Sequence, residues 1–449
     1  MYTSNRVVEF YAPWCGHCQH FKQQYIDFGR NCTKMATGYG VNIEFYAVSC
    51  TANPSICKAE NVHSYPTVKL LSSGKANGTV VPSWQVHCFT ALKMFGANVP
   101  EVPLQSDVPK KFVGGSVSEV SIQQVHDSRT KQQIYDDALL SFDFAMRHSI
   151  FMSNGPLSNK SADVFEDWIE LLSNALPPIW SIHDTLKSIS KDIKEVLKSE
   201  NKLIAILSEH QPKSKKWSLG CPAGYTCGLW ELFHILSIGV VEWNQLAAIE
   251  GAIFTAENVA DTLHDYISEF FACSICRQHF IMDYANCKHN RCTRLGNSKT
   301  DLKEWKQLVL WLWEAHNDVR VRLAHEKAER ENRQLSEKEE QLAEWPSRFD
   351  CPICWNGDGS WDDDLIYKYL RMTYWIEDSI SIQYRDEFSH RNKRQLDSLQ
   401  RHDFEGDKLQ FSYFPFAILL SILLMGCIYT FHKQAERVRT GRHKKSDLA

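Results

Sequence analysis

Fifteen cysteines set the strongest constraint on this 449-residue chain, because twelve of them fall in close pairs. Cys-x-x-Cys occurs three times, at Cys15/Cys18, Cys273/Cys276 and Cys351/Cys354. Cys50/Cys57, Cys221/Cys227 and Cys287/Cys292 lie five to seven residues apart. This density is too low for a mini-protein held together by disulfides and high for a cytosolic enzyme, which points to an oxidising compartment. With 43% hydrophobic residues the chain is expected to hold more than one packed core. Its formal charge of −4 gives no basic excess of the kind that marks a nucleic-acid binder.

The C-terminal end suggests the topology. Leu409–Phe431 is a 23-residue stretch without a charge. As a helix it would run roughly 35 Å, against about 30 Å of hydrocarbon. Lys433, Arg437, Arg439, Arg442, Lys444 and Lys445 follow it, whereas Asp403, Glu405 and Asp407 precede it. Positive residues stay cytosolic, so residues before 409 are expected to be lumenal or extracellular. Sequons at Asn31, Asn77 and Asn159 agree. The opening MYTSNRVVEF has no apolar signal region, so the sequence is expected to begin short of a natural start.

Val7–Tyr11 reads as a buried strand, Ala12-Pro13-Trp14-Cys15-Gly16-His17-Cys18 follows, and a helical pattern begins at Gln19. A thiol at the start of a helix is stabilised as thiolate by the dipole, so the first Cys-x-x-Cys reads as a redox motif. Zinc is the competing reading of any Cys-x-x-Cys. This heptapeptide, with Ser64-Tyr65-Pro66-Thr67-Val68, resembles thioredoxin-fold domains of the protein disulfide isomerase type. The resemblance implies that Cys15 is the exposed nucleophile, Cys18 the resolving thiol, Glu9 a buried proton acceptor and Tyr65-Pro66 a cis-proline turn. Read from the residues alone, Glu9 is a strand-edge charge. The family has a further strand and helix before VVEFYAP; their absence implies an N-terminally truncated fold with an unpaired sheet edge. Cys50 and Cys57 look like a local disulfide, and Cys32 and Cys88 are candidates to pair.

Pro100, Pro103, Pro109 and Gly114-Gly115-Ser116 mark a linker. From Lys131 the pattern is helical, with no visible chemistry as far as 218. A second reactive region follows. Trp230 and His234 share a helix face, as do Cys273, Cys276 and His279. Trp311, Trp313 and His316-Asn317 come next, and Trp345 precedes Cys351-Pro352-Ile353-Cys354. Taken singly, a Trp/Leu stripe is core and a helical His is satisfied structure. Together they suggest stacking faces and edge-binding groups for a flat aromatic cofactor.

CGLWELFH, CSICRQHF, LWLWEAHN and W-x5-CPIC, in this order, resemble the Erv-like FAD-binding sulfhydryl oxidase domain. With the thioredoxin-like segment in front and the apolar stretch behind, the chain resembles the quiescin-type sulfhydryl oxidases. The expected fold is multidomain: an α/β thioredoxin fold (1–99), a linker (100–130), an all-α spacer (131–218), an all-α FAD-binding bundle (219–356), a juxtamembrane segment (357–408), one transmembrane helix (409–431) and a cytosolic tail (432–449). The resemblance implies that Trp230, His234, His279, Trp313, His316, Asn317 and Trp345 contact FAD, that Cys273 and Cys276 form the flavin-side disulfide with Cys276 nearer the flavin, and that Cys221/Cys227 and Cys351/Cys354 are structural bridges. Three departures stand out. Arg320 replaces the final Asn of HNxVN and is expected to supply phosphate contact, and Ala223 and Leu342 stand where basic residues usually touch the cofactor. There is also no room for a second thioredoxin domain.

Cys287 and Cys292 fall outside the family's usual set and read as a local disulfide, with a zinc site shared with Cys273 and Cys276 as the alternative. The charged run Glu326–Glu344 reads as a solvated helical insertion, and Arg391-Asn392-Lys393-Arg394 resembles a processing site that would release a shed form.

The expected activity is FAD-dependent oxidation of protein dithiols, with electrons passing from Cys15/Cys18 to Cys273/Cys276, to FAD and to O2, giving H2O2. The rivals are a flavin-free, membrane-anchored disulfide isomerase or reductase and a non-enzymatic lumenal chaperone. The expected setting is a single-pass membrane of the secretory pathway, at the Golgi or cell surface.

Overall fold

The computed structural model describes residues 4–75, 78–81, 88–99, 129–178, 180–246, 254–348, 350–378, 380–386 and 388. Residues 100–128 of the linker, the apolar stretch 409–431, Cys427, Asn77 and Arg391–Arg394 therefore lie outside the described residues. Among those described, no helix is long and apolar enough to cross a membrane.

Residues 7–10 of β1 (Asn5–Tyr11) are all buried, as a run of Val, Val, Glu and Phe demands of a central strand. The sheet order is β2-β1-β3-β4. Strand β2 (Ile43–Ser49) runs parallel to β1, β3 (Thr67–Leu71) runs antiparallel to β1, and β4 (Thr79–Val81) runs antiparallel to β3. Among the described strands, β2 stands at the sheet edge, with Tyr46 47% exposed. Helices α1 (Gly16–Gly38), α2 (Pro54–Ala59) and α3 (Cys88–Met94) complete this part. Cys32–Cys88 and Cys50–Cys57 are disulfides, and Tyr65-Pro66 is cis.

The rest is helical: α4 (Lys131–His148), α5 (Asn159–Ala175), α6 (Ile182–Lys191), α7 (Ile193–Val196), α8 (Glu200–Glu209), α9 (Tyr225–Leu246), α10 (Ala256–Phe270), α11 (Ser274–Ala285), α12 (Arg291–Arg294), α13 (Leu302–Arg330), α14 (Glu337–Ala343) and α15 (Asp363–Tyr374). Helix α9 is the axis of this body, and α4, α5, α13 and α15 pack on it. Two glycines allow the close approach. A Cβ at Gly228 would lie 2.2 Å from Asp137 O on α4, and one at Gly239 would lie 1.8 Å from Ala175 O on α5. Residues 131–218 are thus packed into the same body as the helices that follow.

Two expectations are revised. Residues 363–374, expected in a juxtamembrane segment, form α15, which Arg371 ties to Glu242 of α9 through two contacts of 2.6 and 2.8 Å. The charged run from Glu326 forms the end of α13 and then α14, capped by Ser336. It is not merely solvated, since Glu326 and Arg330 both reach His20 of α1.

Candidate active site and cofactor cavity

Local sequence places the first pair. Cys15 is the N-cap residue of α1 and Cys18 lies in its first turn. They are the free thiols among the described residues, and both are buried. Hydrogen bonding from Cys18 holds the Cys15 thiol below its ordinary range; the Cys18 and His17 backbone N–H groups add to this and burial opposes it. Cys18 is pushed up by that same hydrogen bond and by burial. Cys15 is therefore the better thiolate, the order a nucleophile and a resolving thiol require. Glu9 is 4% exposed, and burial raises its pKa to about 7. It is thus no strand-edge charge but a buried carboxyl, charge-coupled to both thiols.

The second pair, Cys273–Cys276, is a disulfide at the start of α11. It lies against the first. Tyr65 N–H donates to Ala272 O at 2.8 Å, and Ser274 N–H donates to Tyr65 O at 3.2 Å, so Tyr65 and Cys273 form an isolated parallel bridge. Cys15, Cys18, Tyr65, Ala272 and Cys273 belong to one buried apolar cluster, with Cys276 packed on it. Trp14 spans the same junction, its ring 4.8 Å from Tyr225 and 6.0 Å from Phe271. Lys58 of α2 also pairs with Glu200 of α8.

Beyond the disulfide opens a cavity of about 1190 Å3. Trp230, Cys276, His279, His316, Arg320 and Trp345 line it. Cys276 thus faces the cavity, while Cys273, fully buried, faces the thioredoxin-like part. Trp230 and His316 stack at 4.3 Å, only 3° from parallel. Arg320 lines the cavity while its Nε donates to Ala343 O at 2.7 Å.

Trp313, Asn317 and His234, which the resemblance marks for the cofactor, adjoin this wall. Trp313 Nε1 and Asn317 Nδ2 donate to Trp345 O at 2.6 and 2.8 Å, and Trp345 N–H donates to Asn317 Oδ1 at 2.9 Å. They hold Trp345 in place. His234 is buried, with Nε2 2.9 Å from His316 Nδ1, and burial lowers its pKa to about 3. Burial, with His234 and Arg320 adding, holds His316 well below its ordinary range too, so this pair is neutral. Cys221–Cys227, Cys287–Cys292 and Cys351–Cys354 are disulfides, and the four sulfurs weighed for zinc are paired as two local bridges.

The cavity fits FAD. Its volume suits a dinucleotide, and its indole and imidazole planes suit a flat ring system. Among the described residues the buried His234 Nδ1 has no hydrogen-bond partner, the condition of a donor or acceptor meant for a ligand edge. Sequence reading missed Tyr374, which lines the cavity and stacks on His234 at 4.9 Å, and His17, which lines it from the other domain. His17 lay within the quoted heptapeptide, but nothing local marked its reach across the junction.

Comparison with known proteins agrees with this geometry. Residues 2–89 match the thioredoxin family model, and residues 227–342 match the Erv1 / Alr family model. Sulfhydryl oxidase 1 of Arabidopsis thaliana is 25% identical over 405 residues, covering 82% of this chain and 70% of that protein. Both domains are thus matched in one relative, in the same order. In its order of domains the chain is similar to the quiescin-type sulfhydryl oxidases. Sulfhydryl oxidase 2 of the same plant is 24% identical over 411 residues, covering 82% of this chain and 74% of that protein. A solved sulfhydryl oxidase fragment of human QSOX1 aligns with a TM-score of 0.42 at 23% identity, covering 55% of this chain and 97% of that one.

Proposed function

We propose that this thiol oxidase relays electrons from protein dithiols through two cysteine pairs that meet at Tyr65 and Cys273. A substrate thiolate attacks the Cys15–Cys18 disulfide at Cys15, and a second substrate thiol resolves the mixed disulfide, leaving the substrate oxidised and Cys15/Cys18 reduced. The Cys15 thiolate then attacks Cys273, Cys276 leaves as thiolate, and Cys18 resolves the Cys15–Cys273 bond. Glu9, neutral or charged near pH 7, is placed to take the Cys18 proton. FAD, when bound, supplies a two-electron acceptor that passes electrons to O2 to give H2O2. Trp230, His279, His316, Arg320 and Trp345 would hold it, with His234, Trp313 and Asn317 supporting them. The observation that carries the reading is the Tyr65–Cys273 bridge, which puts the acceptor disulfide where a thioredoxin-type site presents its partner.

The same reading makes the protein a single-pass glycoprotein of the secretory pathway, at the Golgi or cell surface, with Leu409–Phe431 as anchor and a shed form released near Arg394. The charge asymmetry around residues 409–431 and the sequons support it.

One purified sample tests the enzymatic reading. A flavin band near ~450 nm, peroxide formed from a reduced protein substrate, and loss of that turnover in Cys15→Ser with dithiothreitol oxidation retained are the expected results. A colourless protein that still isomerises disulfides would mean the flavin-free isomerase. A colourless protein in which Cys15→Ser changes no redox reaction would mean the chaperone.

A further inference from the structure

His17 belongs to the thioredoxin-like helix, yet its imidazole reaches sulfurs on the other side of the junction. Its Nδ1 lies 3.5 Å from Cys276 Sγ and 3.7 Å from Cys273 Sγ. The three atoms all lie within 4.8 Å of one another. The ring is half-buried between His20 and His279, whose centroids are 5.9 and 6.0 Å away. Burial, with the charges of His20, His279 and Arg322 adding to it, lowers its pKa to about 4. At neutral pH this imidazole is a hydrogen-bond donor and not an acid.

Thiol–disulfide exchange depends on how well the departing sulfur carries negative charge. When Cys15 attacks Cys273, that sulfur is Cys276, and the charge appears in a largely dry junction where an unpaired anion is costly. The two nearest polar side chains are paired with each other, Arg322 Nη1 lying 2.6 Å from His279 Nδ1, and Arg322 also forms an ion pair with Glu326. His17 is the group whose nitrogen already sits on the leaving sulfur.

We propose that His17 is a catalytic residue of the exchange between the two domains, its Nδ1–H hydrogen-bonding the Cys276 thiolate as it leaves. The proposal rests on the relay described above. In the step, the Cys15–Cys273 bond forms and the Cys273–Cys276 bond breaks. The electron pair and negative charge pass from Cys15 to Cys276, and no proton is transferred. His17 keeps its proton throughout, in the Nδ1–H tautomer, which is an assignment made from the sulfur contacts. A helper on the attacking helix would thus serve the acceptor disulfide as well as its own thiol.

The test uses the full flavin-loaded chain carrying Cys18→Ser, in which Cys15–Cys273 accumulates because it cannot be resolved. Two quantities are read anaerobically: the fraction of mixed disulfide, by alkylation and peptide mapping, and the pH dependence of Cys276 alkylation. The rate at which Cys15 attacks glutathione disulfide is read in a parallel chain carrying Cys273→Ser and Cys276→Ser. A hydrogen bond to a charged sulfur implies that His17→Leu lowers the mixed disulfide, relative to the glutathione rate, about tenfold. It also moves the Cys276 alkylation midpoint up by about one pH unit. His17→Asn, whose amide N–H reaches a similar position, restores both to within about threefold of the wild type. A ratio unchanged in His17→Leu overturns the role of His17, because the effect then acts through Cys15. So does a loss that His17→Asn fails to recover. If the chain with His17 intact forms no Cys15–Cys273 bond at all, the relay itself fails, which is a different result.

Discussion

Tyr65 holds Cys273 by its backbone: the Tyr65 N–H and C=O bond to the residues on either side of Cys273, at 2.8 and 3.2 Å. The contact places a buried acceptor disulfide over a buried nucleophile without using the side chain of either partner. It also explains why Cys273, the N-cap of α11, is extended at φ −75° and ψ 98°.

Ser274 allows a clean test of this bridge. It is the first residue of α11, where proline is well tolerated because its N–H has no helical partner. Ser274→Pro removes the N–H bond to Tyr65 O and the 3.2 Å Oγ contact with the same oxygen. Losing about 1 kcal/mol of docking should cut turnover of a protein dithiol roughly fivefold. Dithiothreitol oxidation at Cys273–Cys276, followed in an oxygen electrode, should hold. Equal loss of both would show that the bridge has no part in transfer between the domains.

Glu9 sets a pH dependence of stability. Its pKa rises from 4.5 in the unfolded chain to about 7 in the fold. The folded state therefore binds the proton more tightly. The stability this contributes is complete below about pH 4.5 and is lost as pH rises through 7, by about 3 kcal/mol in all. Glu9→Gln should flatten this slope, so thermal unfolding at pH 5 and pH 8 should differ less in the variant than in the wild type. Parallel pH slopes in the two proteins would rule out a buried carboxyl as the source.

Asn317 is expected to act through Trp345. Asn317→Ala leaves the buried Trp345 N–H without its acceptor, although Trp313 Nε1 still reaches Trp345 O. The cost should be about 1–3 kcal/mol. Chemical denaturation reads that loss, and the flavin-to-protein absorbance ratio after gel filtration should fall with it. An unchanged ratio in a destabilised variant would separate Trp345 placement from cofactor retention.

Arg371 anchors α15, and with it Tyr374 at the cavity. It is 2% exposed and bonds Glu242 and Asp378, with Nη2 2.7 Å from Asp378 Oδ2. Arg371→Ala leaves two carboxylates facing each other and should cost about 3–5 kcal/mol. Arg371 also holds the Asp378 carboxyl well below its usual range, so that share of stability is present above about pH 4 and is lost as pH falls. The variant should therefore lose part of the acid-side slope in denaturation curves run between pH 3 and 7.

Local pattern settled a good deal of this protein. A buried VVEF run followed by Cys-Gly-His-Cys has one economical fold, a strand feeding a helix whose first turn carries the thiols. Three- and four-residue spacing put Trp230 with His234, and Cys273 and Cys276 with His279, on shared helix faces, and the short Cys50/Cys57 and Cys287/Cys292 separations suggested local disulfides. All of these depend on residues within about two helical turns of one another, so periodicity reveals them. The tertiary structure alone decided that Trp313 and Asn317 brace Trp345 from behind, that Tyr374 completes the cavity, and that His17 stands on the Cys276 sulfur. These contacts join residues from 28 to more than 250 positions apart. They arise from how two separately patterned surfaces pack, and no spacing along the chain records that choice.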